Sequence, residues 1–134
     1  MSFSVGQALP VLEIASVSVE KMKVMALLLD APNPIHFAPQ AVQRLGLGNR
    51  PLNQGPNSLA YVINMLMAAG GEGARITRTS VRFMANVFAG DRLHAGGTVT
   101  RIDGNTITCD VWLKRGDDVI VQGNATIALP PEAT

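Results

Sequence analysis

The second half of the chain consists of four segments rich in Val, Ile and Thr, and this pattern restricts the fold more than any other feature. Such segments are typical of β-strands. Short pairs containing Gly and Asp separate them, at Gly90–Asp91, Asp103–Gly104 and Gly116–Asp117, and each pair indicates a hairpin turn. The Asp103–Gly104 pair is the sharpest of these signals and favours a type I′ turn. We therefore predict an antiparallel meander with strands at residues 75–86, 91–102, 105–114 and 118–129.

A long apolar helix is expected immediately before these strands. Pro56 suits the first turn of a helix, and Gly70 and Gly71 are placed to end it. Between Leu59 and Met67, apolar residues occupy nearly every side of the helix. Because a helix that is apolar all round is usually buried all round, we expect this segment to form the centre of the core.

A central helix followed by an antiparallel meander indicates a sheet that curls around the helix, the α+β arrangement known as the hotdog fold. Earlier in the chain, we predict a short strand at residues 11–17, a helix from Val19 to about Leu29 capped by Ser18, and one or two helical turns at residues 39–45. No linker or repeat divides the chain, so we expect one domain over residues 1–134. A single copy would leave a sheet edge and a helix end exposed, which favours a homodimer or a higher homo-oligomer.

Composition argues against several classes of function. The formal net charge is +1, from 11 basic and 10 acidic residues, and no basic stripe is present, so we expect no binding to nucleic acid. The single cysteine, Cys109, excludes an internal disulfide and suits a small core position. No group of His, Cys, Asp and Glu has the spacing of metal ligands. Residues 59–69 are too short a run to span a bilayer, and residues 1–10 lack the features of a signal peptide, so we expect a cytoplasmic protein without membrane association.

Residues 29–37 form a stiff and chemically capable segment ahead of the central helix. Pro32 and Pro34 fix φ and hold the residues before them in an extended conformation. A helix that ends near Asp30 would therefore pass into a rigid loop that aims His36. An acid and an imidazole held in this way transfer protons at neutral pH. We take His36 and Asp30 as candidate catalytic residues.

Two stretches resemble the MaoC-like family of (R)-specific enoyl-CoA hydratases and dehydratases. Asn33–His36 is similar to the second part of the family signature Asp-x-Asn-Pro-x-His. Val81–Asp91 is similar to the family segment Arg-Phe-x-x-Pro-Val-Phe-x-Gly-Asp, with Asn86 at the proline position. Between them, Asn53–Gly55 stands where the family usually has His-Gly before its central helix. The order and spacing of these pieces make the resemblance fairly specific, and it extends over about residues 6–99.

The resemblance implies a hotdog fold and the syn addition of water to a trans-2-enoyl thioester carried on coenzyme A or on a carrier protein. His36 falls on the family's histidine, which binds one water together with an aspartate and moves its protons. Gly55 falls on the glycine whose N–H stabilises negative charge on the thioester oxygen, a task suited to a helix amino terminus. Asn33 falls on the motif asparagine, whose expected role is to fix the loop. The chemistry implied needs no metal or redox cofactor, and coenzyme A or pantetheine enters only as part of the substrate.

The substrate pocket is expected between the proline loop and the amino end of the central helix. Gln54 takes the place of the family's usual histidine, and we expect Asn33 and Gln54 to contact the substrate. Leu59 and Tyr61, in the first turns of the central helix, are expected to line part of the pocket.

The acid departs from the family signature by one position. Alignment on Asn33–His36 places the signature's aspartate at Ala31, whereas this chain has Asp30. A shift of one residue turns a side chain by about 100° on a helix, and it moves the side chain to the opposite face of a strand. Either the chain bulges so that Asp30 serves as the acid, or the acid is absent.

Two other functions are compatible with the same fold. Ala31, Gln54 and Ala38 would suit a subunit without its own catalytic dyad, which binds an acyl thioester or supports an active partner in a hetero-oligomer. Thioester hydrolysis would use an acid on the central helix. Residues 57–69 contain neither Asp nor Glu, which makes hydrolysis the weaker alternative.

Overall fold

The computed structural model describes residues 2–29 and 33–131. A short first strand and three helices precede four long strands. The elements are β1 (Leu12–Ile14), α1 (Val19–Leu28), a 3₁₀ turn (Pro34–His36), α2 (Pro39–Arg44), α3 (Gly55–Gly70), β2 (Arg75–Phe83), β3 (Leu93–Asp103), β4 (Thr106–Arg115) and β5 (Asp118–Ala128).

Local signals in the sequence account for where the helices begin. The Ser18 side chain accepts a hydrogen bond from the Lys21 amide at 3.2 Å, which confirms Ser18 as the cap of α1. Pro39 and Pro56 lie in the first turns of α2 and α3, where a missing N–H costs no helical hydrogen bond. The predicted first strand is shorter than expected, because only Leu12–Ile14 pairs with a neighbour, β3.

The five strands form one antiparallel sheet in the order β1-β3-β4-β5-β2. Two-residue loops join β3 to β4 and β4 to β5, as the sequence predicts. In the first of these hairpins Asp103 pairs with Thr106, so the loop residues are Gly104 and Asn105, one position later than expected. Gly104 has a φ of 60°, a left-handed conformation that glycine adopts without steric cost.

The predicted hairpin at Gly90–Asp91 is wrong. Strand β2 pairs with β5, whereas β3 lies between β1 and β4, so the chain crosses the sheet between β2 and β3. The residues that make the crossing form a loop that pairs with residues 51–53. The Asp91 side chain is 6% exposed and bonds within this loop and to two distant arginines. The dipeptide therefore anchors a connection instead of turning a hairpin.

Helix α3 lies against the inner face of the sheet and forms the core with it. Val62, Met65 and Leu66 are buried on the helix, and they belong to one apolar cluster with the inward residues of the strands. Burial all round the helix was expected, and this is wrong: Asn64 is exposed and Met67 is 42% exposed. The sheet covers only one side of the helix, so the other side of α3 remains at the surface of this single chain.

In the described part of the chain, no helix is both long enough and apolar enough to cross a membrane. Cys109 is fully buried on β4, as expected for a small core residue, and burial raises the pKa of its thiol.

Candidate functional site

The loop before α2 holds His36 through a short network of local hydrogen bonds. The Asn33 side-chain oxygen accepts from the Ile35 amide at 3.2 Å, and the Asn33 carbonyl accepts from the His36 amide at 3.2 Å. The Ala38 amide donates to the Pro34 carbonyl at 2.7 Å, which closes the turn. Asn33 therefore makes the loop-fixing bond expected of it, whereas its contact with substrate stays a prediction.

The imidazole of His36 is half-buried and has a defined acceptor. Its Nδ1 lies 2.7 Å from the backbone carbonyl oxygen of Leu52. A carbonyl oxygen only accepts hydrogen bonds, so in this contact Nδ1 carries the proton and donates it. In the neutral ring, Nε2 then holds a free lone pair and is the atom available to take a proton from a bound water.

The amino end of α3 lies three residues beyond Leu52. Gly55 is the first residue of the helix, and in the described part of the chain its N–H has no hydrogen-bond acceptor. The Ser58 amide bonds back to the Gln54 carbonyl at 3.1 Å, so the helix proper closes without the Gly55 amide. An unpaired N–H at the positive end of a helix is suited to an oxyanion.

Gln54 connects two helices from a buried position. The residue is 4% exposed, and its Nε2 donates to the Met22 carbonyl of α1 at 2.7 Å. Its Oε1 accepts from Asn57 Nδ2 at 2.9 Å. Both ends of the amide are thus engaged inside the protein, and Gln54 holds α1 against the start of α3. Its expected contact with substrate stays a prediction.

Leu59 and Tyr61 are both half-buried but lie on different faces of α3. Leu59 follows Gly55 by four residues and shares its face, whereas Tyr61 is turned by about 200° from Leu59. Tyr61 packs against the core, and burial raises the pKa of its phenol above the ordinary value. Of these two residues, Leu59 is the one that the helix places beside the Gly55 amide.

The expected acid lies outside the described residues, as does the alternative position Ala31. Asp30 is accordingly a candidate from the sequence alone. Among residues 2–29 and 33–131, no three His, Cys, Asp and Glu side chains come together in a way that could hold a metal ion.

Asn53 is a polar residue in this region that the sequence patterns did not single out. Its Nδ2 donates to Ser58 Oγ at 3.0 Å, and its Oδ1 is buried without a partner among the described residues. A buried acceptor without a donor costs on the order of 1–3 kcal/mol, so this oxygen is suited to a water or ligand donor. The sequence signal that could have identified Asn53 is its position directly before Gln54–Gly55.

A buried carboxylate was also missed by sequence reasoning. Asp91 accepts from the Phe88 amide at 2.9 Å, from Arg50 Nη1 at 2.9 Å and from Arg115 Nη1 at 2.8 Å. Burial alone would raise the pKa of this carboxyl. The Phe88 amide and the two guanidinium groups outweigh that effect and hold the pKa of Asp91 below its ordinary value.

An exposed aromatic ring lies next to Gly55. A Cβ built on Gly55 would lie 3.4 Å from the ring of Phe83, which is 53% exposed at the end of β2. Elsewhere on the described chain, one cavity of about 610 Å³ lies at the carboxyl end of α3, and another of about 590 Å³ lies on the outer face of the sheet. Neither of these two cavities is lined by His36 or Gly55.

Comparison with known protein families gives one match. Residues 7–123 match the family model described as a MaoC like domain. Curated protein sequences give no significant match.

Comparison with solved structures gives close matches in fold. The (R)-hydratase from A. caviae involved in PHA biosynthesis is 26% identical over 96% of this chain and 98% of its own, with a TM-score of 0.86. The R-hydratase PhaJ1 from Pseudomonas aeruginosa is 22% identical over 97% of this chain and 84% of its own, with a TM-score of 0.84. The ChsH1-ChsH2 complex from Mycobacterium tuberculosis is 18% identical over 96% of this chain and 100% of the matched chain, with a TM-score of 0.85. These similarities confirm the curled antiparallel sheet around a central helix as the hotdog fold.

Proposed function

Because the chain belongs to the MaoC-like dehydratase family, we propose that it catalyses the reversible syn addition of water to a trans-2-enoyl thioester. One observation carries the proposal: His36 donates from Nδ1 to Leu52, and three residues later follows the Gly55 amide, which has no acceptor among the described residues. This combination supplies a base with a free Nε2 and a donor for an oxyanion. The similarity to an (R)-hydratase at 26% identity supports the same reaction class.

In the proposed reaction, one water supplies both new substituents. Its hydroxyl adds to C3 and a proton is delivered to C2 on the same face of the double bond. His36 Nε2 and the Asp30 carboxylate hold the water. His36 Nε2 takes one proton from the water as its hydroxyl adds to C3, and the imidazolium then returns that proton to C2, while the Asp30 carboxylate accepts a hydrogen bond from the other O–H and orients the water. The Gly55 N–H binds the thioester oxygen while negative charge develops there.

The reaction is redox-neutral, and we propose that it uses no metal or redox cofactor. Coenzyme A or a carrier pantetheine is then simply the part of the substrate that presents the acyl group. Leu59, on the same helix face as Gly55, is proposed to contact the acyl chain. Thioester hydrolysis is less well supported, since α3 contains no Asp or Glu.

We further propose that the protein works as a homodimer in the cytoplasm. Strand β2 pairs with β5 on one side only, and no strand covers its other edge in the described chain. Phe83 and Met84 at its end are 53% and 54% exposed, and the Phe83 ring lies beside Gly55. A second copy would cover both the strand edge and this apolar surface, and sedimentation analysis of the purified protein tests the assembly.

A specific observation favours one alternative, a subunit that supports a catalytic partner. The signature's acid position is Ala31, and Gln54 uses both ends of its amide inside the protein. The fold matches include two-component assemblies, the ChsH1-ChsH2 complex and the HadBC complex. In this alternative the chain retains the surface around Gly55 and lacks a complete proton-transfer pair.

Hydration of crotonyl-CoA, followed by loss of enoyl absorbance, tests the proposal. We expect turnover by the purified protein, and Asp30→Asn should lower it by about 10²-fold or more. Turnover that is unaffected by Asp30→Asn would remove Asp30 from the mechanism. The hydratase proposal fails if no short, long or cyclic enoyl thioester is hydrated. In that case, activity gained by Ala31→Asp would indicate the supporting-subunit alternative, since it restores the acid at its signature position.

A further inference from the structure

We propose that Asp91, with Arg50 and Arg115, forms a positioning cluster that sets the tautomer of His36 from the opposite side of the Leu52 segment. The inference rests on the proposed function for its catalytic meaning. The part of the inference that concerns the proton position on His36 does not depend on any enzymatic activity.

The cluster closes the loop between β2 and β3. Asp91 Oδ2 accepts from the Phe88 amide at 2.9 Å and from Arg115 Nη1 at 2.8 Å, while Oδ1 accepts from Arg50 Nη1 at 2.9 Å. Each arginine also donates to a loop carbonyl, Arg115 to Asn86 and Arg50 to Ala89, both at 3.1 Å. The carboxylate is thus shared between the loop backbone and two cations, and together with the backbone bonds of Gly90 and Asp91 to Val17 it fixes residues 86–91.

This loop is one side of a short backbone ladder whose other side carries Leu52. The Ala89 amide donates to the Pro51 carbonyl at 2.8 Å, and the Asn53 amide donates to the Val87 carbonyl at 2.8 Å. Leu52 lies opposite Phe88 in the same pairing. Arg50 begins the segment, and its guanidinium lies 5.3 Å from the centre of the Phe88 ring. The side chain of Arg50 and the backbone of residues 51–53 therefore hold the same loop.

Leu52 connects this ladder to the loop that carries His36 through two hydrogen bonds. Its amide donates to the Ile35 carbonyl at 2.8 Å, and its carbonyl accepts from His36 Nδ1 at 2.7 Å. Because the ladder fixes the backbone around Leu52, the Leu52 carbonyl oxygen is a hydrogen-bond acceptor at a defined position. Without a fixed acceptor, a neutral imidazole is free to carry its proton on Nε2, the atom that the reaction needs as a base. Asp91 acts through Leu52 and is a positioning residue in this scheme.

The test is the proton position on His36, read from nitrogen chemical shifts of ¹⁵N-labelled protein at about pH 8.5, where an ordinary imidazole is neutral. The chain has two histidines, so a His94→Gln background leaves His36 as the only signal. We expect a protonated Nδ1 and an unprotonated Nε2 in this background. Asp91→Asn and Arg50→Met should each raise the Nε2-protonated form, whereas Arg50→Lys, which keeps a cationic donor, should retain the original pattern.

Activity gives the second readout. For crotonyl-CoA hydration, Asp91→Asn and Arg50→Met should lower kcat by roughly 10- to 100-fold with little change in KM, because the base is misplaced while the binding surface persists. Arg101→Met is the control, since Arg101 is 75% exposed and lies 3.9 Å from the exposed Asp103. Arg50 is itself 53% exposed, so its variants provide folded proteins if Asp91→Asn does not fold.

The outcomes separate the two proposals. If Arg50→Met, and Asp91→Asn where it folds, keep His36 protonated on Nδ1, the positioning role is wrong whatever happens to the rate. If the unmodified protein hydrates no enoyl thioester, the proposed function fails, and the nitrogen pattern in the variants still decides whether the cluster sets the tautomer.

Discussion

His36 Nδ1 and the Leu52 carbonyl oxygen lie 2.7 Å apart, across 16 residues of chain. The contact assigns the ring proton to Nδ1 and leaves Nε2 as the basic atom. It also connects the loop that contains Asn33 and His36 to the segment that leads into α3. The candidate base and the candidate oxyanion donor are therefore held by connected backbone segments.

Replacing His36 by glutamine should abolish proton transfer while preserving the loop. The glutamine amide still has a donor for the Leu52 carbonyl, but it has no basic nitrogen. We expect crotonyl-CoA hydration to fall by about 10² to 10⁴-fold, with a thermal melting curve close to that of the unmodified protein. His94→Gln is the matched control, because His94 lies on β3 with its ring centre 5.2 Å from that of Trp112, and it should retain activity. Equal activity in the two variants would exclude His36 as the base.

Replacing Gly55 by proline tests the amide without a new polar group. Proline removes the N–H at the first residue of α3, where the helix itself makes no use of it. Gly55→Ala is the control: it adds a Cβ at the same place, 3.4 Å from the Phe83 ring, and keeps the N–H. If the amide binds the oxyanion, Gly55→Pro should lose about 10² to 10³-fold in kcat relative to Gly55→Ala. Similar kcat values in two folded variants would assign Gly55 to helix initiation only.

The parts of this fold that could be predicted from sequence are those governed by neighbouring residues. Ser18 caps α1, Pro56 lies in the first turn of α3, and glycine at positions 104 and 116 marks the two tight hairpins. Each of these signals depends on the conformational preferences of a few adjacent residues. The order of the strands does not depend on the preferences of adjacent residues, and the pairing of β2 with β5 has no local sequence signal.

In the candidate site, too, the local sequence predicts some features, whereas others depend on residues that are distant in the chain. His36 and Asn33 were identified from the loop motif, but the acceptor that fixes the imidazole is a backbone carbonyl, which side-chain patterns do not report. Asp91 was taken as a turn residue because Gly-Asp pairs often are. Its partners Arg50 and Arg115 are 41 and 24 residues away in sequence, so its burial becomes visible only in the folded chain.

Removing the Gln54 side chain should destabilise the protein at the junction of α1 and α3. Gln54→Ala removes the donor to the Met22 carbonyl and leaves the buried Asn57 Nδ2 without its acceptor, which should cost about 2–4 kcal/mol in the free energy of unfolding. Urea unfolding followed by the fluorescence of Trp112, the single tryptophan, measures this. Gln43→Ala on the exposed face of α2 should change stability by less than about 0.5 kcal/mol. A loss below about 1 kcal/mol for Gln54→Ala would show that water replaces both bonds.

Asp91 should give the protein an acid-sensitive component of stability. Its pKa is lowered in the folded state, so its contribution is fully present above the unfolded-state pKa of about 3.9 and is lost as pH falls through the folded-state value. At pH 7, Asp91→Asn should lower the free energy of unfolding by about 1.5–3 kcal/mol, since charge-assisted bonds to Arg50 and Arg115 are weakened. Urea unfolding between about pH 7 and 3 should show this difference shrinking as acid protonates Asp91 in the unmodified protein. Asp103→Asn, at a site 79% exposed, is the control and should stay near the unmodified protein throughout. A difference for Asp91→Asn that stays constant across this pH range would mean that shape, and not charge, accounts for the role of Asp91.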